Sequence, residues 1–224
     1  MFLFMLTLIS GVTFVYFFGK TEPSSQENKT DRFLKKKKDP TIRGFRFSGY
    51  HEGQKAITIK AAKFSIEKKK IGVFKFSPLR AALFRGAEID FYVNPGPTAN
   101  SLDDRENVAI KGLFSKETIP VSLLNGVSSA VFEPVKINFC IDNTPVTEIR
   151  AKRATFDPLQ RRIVLDGKIS ATAAPHQLLT DRLMIYPEKG IIEVNHKFDL
   201  KTKNGRISGE KLTTDLFLKK IERQ

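Results

Sequence analysis

The sequence predicts an all-β fold in which repeated antiparallel hairpins form one curved, twisted sheet. Four segments of similar pattern carry this prediction, and the last three start 29 residues apart: 59–66, 149–156, 178–185 and 207–214. A fixed period of 20–50 residues indicates one supersecondary unit that is repeated along the chain. After residue 20, no window shows the i, i+3, i+4, i+7 spacing of an amphipathic helix.

Each repeated segment contains an irregularity that predicts curvature. Residues of the buried type fall at positions 1, 3, 6 and 8, as in Ile149, Ala151, Ala154 and Phe156. Strict alternation along a strand would give positions 1, 3, 5 and 7, so the inward face shifts by one residue in the middle. One extra residue in a strand is a β-bulge, which bends and twists it. Bulges at the same place in every repeat therefore predict a curved sheet.

Turn residues separate the paired strands of each hairpin. Asp157–Gln160 and Pro187–Gly190 have the Asp, Pro and Gly chemistry of turns. In the first repeat we expect the turn at Glu67–Lys70, with a return strand through Val73 to Ser77. Residues 94–107 read as a loop, and 119–135 is the most ambiguous stretch, with room for a short helix. An alternative division gives two lobes, 41–93 and 108–224, that share one curved sheet.

The amino terminus predicts a membrane anchor. Residues 1–19 contain no charged side chain, and as a helix they would span about 28 Å at roughly 1.5 Å per residue, close to the ~30 Å hydrocarbon core of a bilayer. No basic region precedes them and no small-residue cleavage site follows, which favours an uncleaved transmembrane helix. The expected organisation is an anchor at 1–19, a charged linker at 20–40 and a β-domain at 41–224 with an irregular waist at about 94–144.

The chain is strongly basic, with 38 Lys and Arg against 24 Asp and Glu and a formal net charge of +14. Such a surplus predicts anionic partners, such as nucleic acid, a membrane surface or a phosphorylated glycolipid. The other interpretation is that the basic residues keep a sheet protein soluble and its edges unpaired. Lys35–Lys38 and other cations follow the apolar segment, which by the positive-inside rule favours a cytoplasmic body.

No catalytic or metal-binding motif is present in the sequence. His51, His176 and His196 lie far apart, and the single Cys140 has no partner with metal-ligand spacing. Carboxylates recur at repeat-linked positions, as turn or cap residues do, rather than as one acid–base pair. We therefore expect that the protein is not an enzyme, that it has no catalytic residues, and that it binds no cofactor and no metal. Nucleic-acid binding is disfavoured because Phe64, Phe156 and Phe198 lie in the inward register rather than on an exposed stacking surface.

The order of these parts resembles the LptC family, the membrane-anchored periplasmic component of lipopolysaccharide export. The resemblance is carried by the anchor, the linker and four stretches of sequence: Ile59–Phe64, Ile149–Asp157, Leu179–Tyr186 and Gly205–Asp215. It covers roughly residues 1–93 and 145–224, whereas 94–144 resemble the family poorly. It implies a twisted β-jellyroll, open along one side, in a single-pass protein of the cell inner membrane with the bulk of the chain in the periplasm.

The resemblance also implies a function and a set of partners. Lipopolysaccharide passes from an inner-membrane ABC transporter complex, through an apolar groove, to a soluble periplasmic bridge protein that resembles LptA. Basic residues at the rim of the groove would suit the phosphates of the glycolipid. Strand edges at each end of an open jellyroll accept a neighbour's strand, which also allows a homodimer.

Two sets of residues are our candidates for these roles. The predicted lipid-groove residues are Phe64, Ile66, Phe156, Ile163, Leu165, Leu183, Ile185 and Ile192. The predicted partner-edge residues are Leu212, Leu216 and Leu218 at the carboxy-terminal strand around 212–221, and Phe45 and Phe47 at the amino-terminal edge.

The sequence is also compatible with two functions other than glycolipid transport. The first is an anchored β-domain that scaffolds envelope proteins without binding lipid, and a packed sandwich with about 10 Å between its sheets would favour it. The second is a binder of anionic polymers on the cytoplasmic side of the membrane, which the placement of basic residues favours.

Overall fold

The computed structural model describes residues 41–71, 74–93, 127–157 and 159–223. The predicted anchor, the predicted linker and the predicted loop at 94–107 lie outside these residues. Within the described ranges, no helix is long and apolar enough to cross a membrane.

Thirteen strands make up almost the whole of the described chain, which confirms the predicted all-β class. They are β1 (Thr41–His51), β2 (Gln54–Ile71), β3 (Phe74–Val93), β4 (Val127–Ile141), β5 (Thr144–Ala151), β6 (Arg153–Asp157), β7 (Arg162–Ala173), β8 (His176–Tyr186), β9 (Ile191–Val194), β10 (Phe198–Thr202), β11 (Gly205–Gly209), β12 (Leu212–Asp215) and β13 (Ile221–Arg223). A 3₁₀ turn at Pro187–Lys189 joins β8 to β9.

All thirteen strands belong to one sheet, whose main path runs β1-β2-β3-β4-β5-β7-β8-β9-β12-β13. β6 pairs with β4 and β7, and β10 pairs with β8 and β11. The pairs are antiparallel except β3 with β4, which run parallel. The predicted antiparallel hairpins therefore account for the other pairs, and the parallel contact of β3 with β4 is an addition to that prediction.

A line of kinks crosses the sheet where the sequence predicts bulges. In the second repeat, Ala151 and Ala154 are buried while the two residues between them, Lys152 and Arg153, are exposed. The strand breaks at this point into β5 and β6. Equivalent outward pairs occur at Ala62–Lys63, Arg85–Gly86, Glu133–Pro134, Asp181–Arg182 and 210–211, and three residues intervene at 166–168 and at 195–197. We call this row of residues the kink line.

The kink line divides the sheet into two layers. Layer A lies on one side of the kink line and consists of segments 45–51, 54–61, 87–93, 135–141, 144–151, 169–173, 176–180, 198–202 and 205–209. Layer B lies on the other side and consists of segments 41–43, 63–71, 74–85, 127–133, 153–157, 162–166, 182–186, 191–194, 212–215 and 221–223. Ile57 of layer A and Ile163 of layer B are far apart along the sheet but border the same cavity. The sheet therefore folds over on itself, consistent with the jellyroll that the family resemblance implies.

The structure differs from two smaller predictions about where strands begin and end. β2 continues through Glu67–Lys70 to Ile71, so the first hairpin turns later than predicted. β4 spans Val127–Ile141, so the carboxy-terminal part of the ambiguous stretch at 119–135 is a strand, with a kink at Glu133–Pro134 and a register shift at Phe139/Cys140. The turns predicted at Asp157–Gln160 and Pro187–Gly190 are confirmed, and Gly190 has the left-handed conformation with a φ of 70°.

Candidate functional site: an apolar cavity between the layers

An apolar cavity lies between the two layers, on the β1–β4 side of the fold. Its volume is about 50 Å³, whereas one water molecule needs only ~10–15 Å³. Its walls consist of Phe45, Phe47, Ile57, Ile59, Phe64, Ala82, Phe84, Ile89, Phe91, Ala130, Phe132, Phe156 and Ile163. Because none of these side chains offers a hydrogen bond, the cavity excludes water and suits an apolar group.

Four phenylalanine rings form a continuous wall of the cavity. Strand pairing places Phe64, Phe84 and Phe132 opposite one another on β2, β3 and β4. Their ring centroids lie 4.9 Å apart for Phe64 and Phe84, and 4.6 Å apart for Phe84 and Phe132. Phe45 stacks on Phe64 at 5.0 Å. Aromatic pairs at such distances contribute about 0.5–1.5 kcal/mol each beyond their burial, so the wall is stabilised by its own contacts.

On the other side of the fold, the interior side chains are deeply buried. Seven side chains there are at most 1% exposed: Leu165, Leu178, Leu183, Ile185, Ile192, Leu200 and Leu218. The turn after β12 contributes to this closure, because Leu216, Phe217 and Leu218 are all buried against the core. The apolar cavity therefore lies at the β1–β4 side, and we call the deeply buried region towards the carboxy terminus the filled part of the interior.

The structure divides the predicted groove residues between these two regions. Phe64, Phe156 and Ile163 border the cavity, and Ile66 is half-buried against the core beside them. The remaining four lie in the filled part of the interior: Leu165, Leu183, Ile185 and Ile192. Contact of any of the eight with lipid stays a prediction.

Most side chains of the cavity wall were not predicted as groove residues from the sequence. Phe84, Phe91 and Phe132 border the cavity but were not among the candidates. Their signal is present in the sequence, since Phe84 and Phe132 immediately precede the outward pairs Arg85–Gly86 and Glu133–Pro134. Phe64 also lies next to an outward pair, but it follows the pair Ala62–Lys63, whereas Phe84 and Phe132 precede theirs.

The predicted partner-edge residues face the interior rather than the edges. β1 is an edge strand of the described sheet, since it pairs only with β2, but Phe45 and Phe47 border the cavity. At the carboxy terminus, β12 lies between β9 and β13, so Leu212 is not on an edge strand. Two described edge strands lie at this end: β13, only three residues long, and β11, which among the described strands pairs only with β10.

Charged residues collect on the outer face of layer A, behind the cavity. Glu88 accepts hydrogen bonds from Lys136 at 3.3 Å and Lys60 at 3.5 Å, and from the Asn138 amide at 3.3 Å. Asn138 also donates to Asp90 at 2.7 Å. Burial alone would raise the pKa of Glu88, but the hydrogen bond from Lys136 and the charge of Lys60 hold the pKa of that carboxyl below its usual value. The network joins β2, β3 and β4 across the parallel pair.

The described residues offer little for catalysis. Burial raises the pKa of the Cys140 thiol to about 11, so the thiol stays protonated and unreactive at neutral pH. In the described ranges, no three His, Cys, Asp or Glu side chains are arranged to hold a metal ion. What the arrangement can do is shelter an apolar group between two β-layers.

The fold and the cavity define an all-β protein with a folded sheet and an apolar cavity. A family model described as "Lipopolysaccharide-assembly, LptC-related" matches residues 124–222, which include β4 to β12 and most of β13. Over this part the chain is similar to the LptC-related family, which confirms the resemblance there. No curated protein matches the chain.

The extent of the match differs from the expectation. It includes residues 124–144, which we expected to resemble the family poorly, and it does not include residues 1–93. β1, β2 and β3 nevertheless continue the kink line and contribute nine of the thirteen side chains that border the cavity. The cavity therefore lies where the LptC-related part meets the strands that precede it.

Proposed function

We propose that the protein is anchored in the inner membrane, receives lipopolysaccharide from an ABC transporter and passes it to a soluble periplasmic bridge protein. The observation that carries this proposal is the apolar cavity, bordered by an LptC-related sheet and its preceding strands. The bulk of the chain lies in the periplasm and the apolar segment at 1–19 is the anchor.

The physical task of such a protein is to shield acyl chains from water. Each exposed CH₂ costs about 0.8 kcal/mol, and an apolar cavity removes this cost without any reaction. A volume of about 50 Å³ accommodates the end of one acyl chain. Longer contact requires the β1–β3 strands to move away from β6 and β7, which widens the same space between the layers. The energy for transfer comes from the transporter, and the chain itself catalyses no reaction.

Two edge strands of the described sheet supply the docking surfaces in this proposal. β1 accepts a strand from the inner-membrane complex, and β13 accepts one from the bridge protein. Strand addition of this kind uses main-chain hydrogen bonds for affinity and side-chain pockets for specificity. It joins neighbouring jellyrolls so that their apolar interiors are continuous.

Site-specific photocrosslinking in cells tests the lipid contact. A photoreactive residue replaces Phe84, which borders the cavity, and in a matched variant replaces Arg85, the exposed next residue of β3. We expect a lipopolysaccharide adduct from position 84 and none from 85. Absence of an adduct from positions 64, 84 and 132 alike, in variants that accumulate normally, would falsify lipid binding in this cavity.

The filled part of the interior favours a second candidate, an anchored scaffold that binds envelope proteins without lipid. In that case the cavity is a packing defect, and filling it leaves export unchanged. Ala130→Leu fills the cavity while the sheet edges stay intact. Normal lipopolysaccharide export by this variant, together with failed export when β13 is deleted, would support the scaffold.

The side of the membrane on which the β-domain lies distinguishes both candidates from a cytoplasmic binder of anionic polymers. A reporter enzyme that is active only in the periplasm is fused after residue 40. Activity of the fusion supports the periplasmic proposals, and inactivity of a stable fusion supports the cytoplasmic one.

A further inference from the structure

The two far ends of the folded sheet carry different charges. At the far end of layer B, the described turn residues 159–161, 187–190 and 216–220 include four cations and one anion: Arg161, Lys189, Lys219, Lys220 and Glu188. At the far end of layer A, the turns 52–53, 142–143, 174–175 and 203–204 include two anions and one cation: Glu52, Asp142 and Lys203. We call the three turns of layer B the basic end.

The carboxylates at the basic end are engaged by the protein itself. Glu188 accepts a hydrogen bond from Arg161 at 3.1 Å, which ties two neighbouring turns together. The Asp157 carboxylate accepts from the backbone N–H groups of Leu159 and Gln160 at 3.1 and 3.2 Å. These bonds hold the turn in shape, and the described residues of the three turns together carry more cations than anions.

The same turn holds an apolar side chain outward. Leu159 is 91% exposed, the most exposed of the large hydrophobic residues in the described chain. Beside it, Arg162 begins β7 with its buried Nε lacking a hydrogen-bond partner within the described chain. An outward leucine among cations is the combination with which peripheral segments bind a bilayer surface, since cations bind anionic head groups and the apolar group enters the acyl boundary.

The amino-terminal end of the described chain belongs to the same layer as the basic end. Thr41, where the described chain begins, lies in layer B, and the run Lys35–Lys38 precedes it in the sequence, separated by Asp39 and Pro40. A polybasic run of this kind favours anionic lipid head groups.

We propose that the basic end is a docking surface for the surface of an anionic lipid bilayer. Arg161, Lys189 and Lys219 contact lipid phosphates by charge-assisted hydrogen bonds, and Leu159 enters the head-group boundary. Docking holds layer B towards the membrane and layer A away from it. The proposal does not depend on glycolipid transport, because the phosphates it requires belong to the bilayer itself.

Fluorescence of the full chain reconstituted in vesicles tests the proposal. In a Cys140→Ser background, an environment-sensitive fluorophore is attached through Leu159→Cys, or through Asn204→Cys at the opposite end as the matched control. Vesicles contain phosphatidylcholine alone, or phosphatidylcholine with phosphatidylglycerol. We expect a blue shift, and quenching by spin-labelled lipid, only for position 159 in the anionic vesicles, and a weaker effect at high salt.

Charge variants test the role of the lysines. Lys189→Gln and Lys219→Gln each lower the ratio of docked to undocked protein about fivefold, as expected for one cation near an anionic surface, whereas Lys→Arg at the same positions leaves it unchanged. Circular dichroism checks that each labelled variant is folded. Equal signals from positions 159 and 204, equal signals in neutral and anionic vesicles, or a signal that requires added lipopolysaccharide would each overturn the proposal.

Discussion

The backbone N–H of Lys152 donates a 3.1 Å hydrogen bond to the carbonyl oxygen of Gly167. The bond joins the break between β5 and β6 to the kink of the neighbouring strand β7. Gly167 has a φ of +83°, and a Cβ at this position would lie 3.1 Å from the Cβ of Lys152. The kink between β5 and β6 is therefore fitted to the kink of β7.

Gly167→Ala tests this fit. We expect the free energy of unfolding to fall by about 1–3 kcal/mol, the usual cost of a non-glycine residue held in a strained conformation, with the contact to Lys152 adding to it. Urea denaturation measures the loss. Gly53→Ala is the control, since Gly53 also has a positive φ, +76°, but a Cβ there would contact nothing within 4 Å. Equal losses in the two variants would mean that the contact contributes nothing.

The sequence predicts the kink line well because the signal is local. Two outward residues in succession, such as Lys152–Arg153, break the alternation of a strand wherever they occur. The interior residues Ala151 and Ala154 on either side of them are buried as predicted. The all-β class follows from the same pattern, since no helical period competes with it.

The parallel pairing of β3 with β4 is not encoded locally. Either strand has the same alternation whether its neighbour runs parallel or antiparallel, and residues 94–126 separate the two in the chain. The ion pair of Glu88 with Lys136 and the contact of Phe84 with Phe132 follow from that pairing. A single sequence therefore does not reveal them.

The site is predicted only in part for a related reason. Alternation identifies which residues face inward, but packing between distant strands decides whether the inward space is filled. Leu183 and Phe64 have the same pattern, yet Leu183 is sealed and Phe64 borders a cavity. The positions of the predicted edge residues depend on packing in the same way, because the turn after β12 folds Leu216 into the core.

Enlarging an alanine distinguishes the open and filled parts of the interior. Ala130 borders the cavity, so we expect Ala130→Leu to leave the free energy of unfolding unchanged or to raise it. Ala171 is fully buried in the filled part, and Ala171→Leu should cost about 1–3 kcal/mol through overpacking. Chemical denaturation of both variants measures the difference, and similar losses would show that no usable space exists beside Ala130.

The Glu88 network predicts a pH-dependent contribution to stability. Because the pKa of Glu88 is lowered from its ordinary 4.5, its contribution is complete above that pH and is lost as the pH falls through the folded-state pKa. The side chain is 36% exposed, so solvent screening limits the contribution to about 1 kcal/mol. Glu88→Gln should therefore lower the urea midpoint at pH 7 and have little effect at pH 3.

The control for this prediction is Glu210→Gln, at an exposed position on the kink line. Its urea midpoint should stay close to that of the wild type at both pH values. A gap between wild type and Glu88→Gln that is constant from pH 7 to pH 3 would contradict an ionic contribution and indicate lost packing instead.

The carboxy-terminal edge gives the sharpest test of the proposed partner. Among the described strands, β13 pairs only with β12, so its other side is free to accept a strand. Glu222 is exposed on β13, whereas Leu216 is 1% exposed and Leu218 fully buried. A photoreactive residue at 222 should capture the soluble bridge protein in cells, and the same residue at 216 or 218 should capture none. The reverse result would mean that the turn after β12 leaves the core when the partner binds, because no partner reaches those side chains while they pack in the interior.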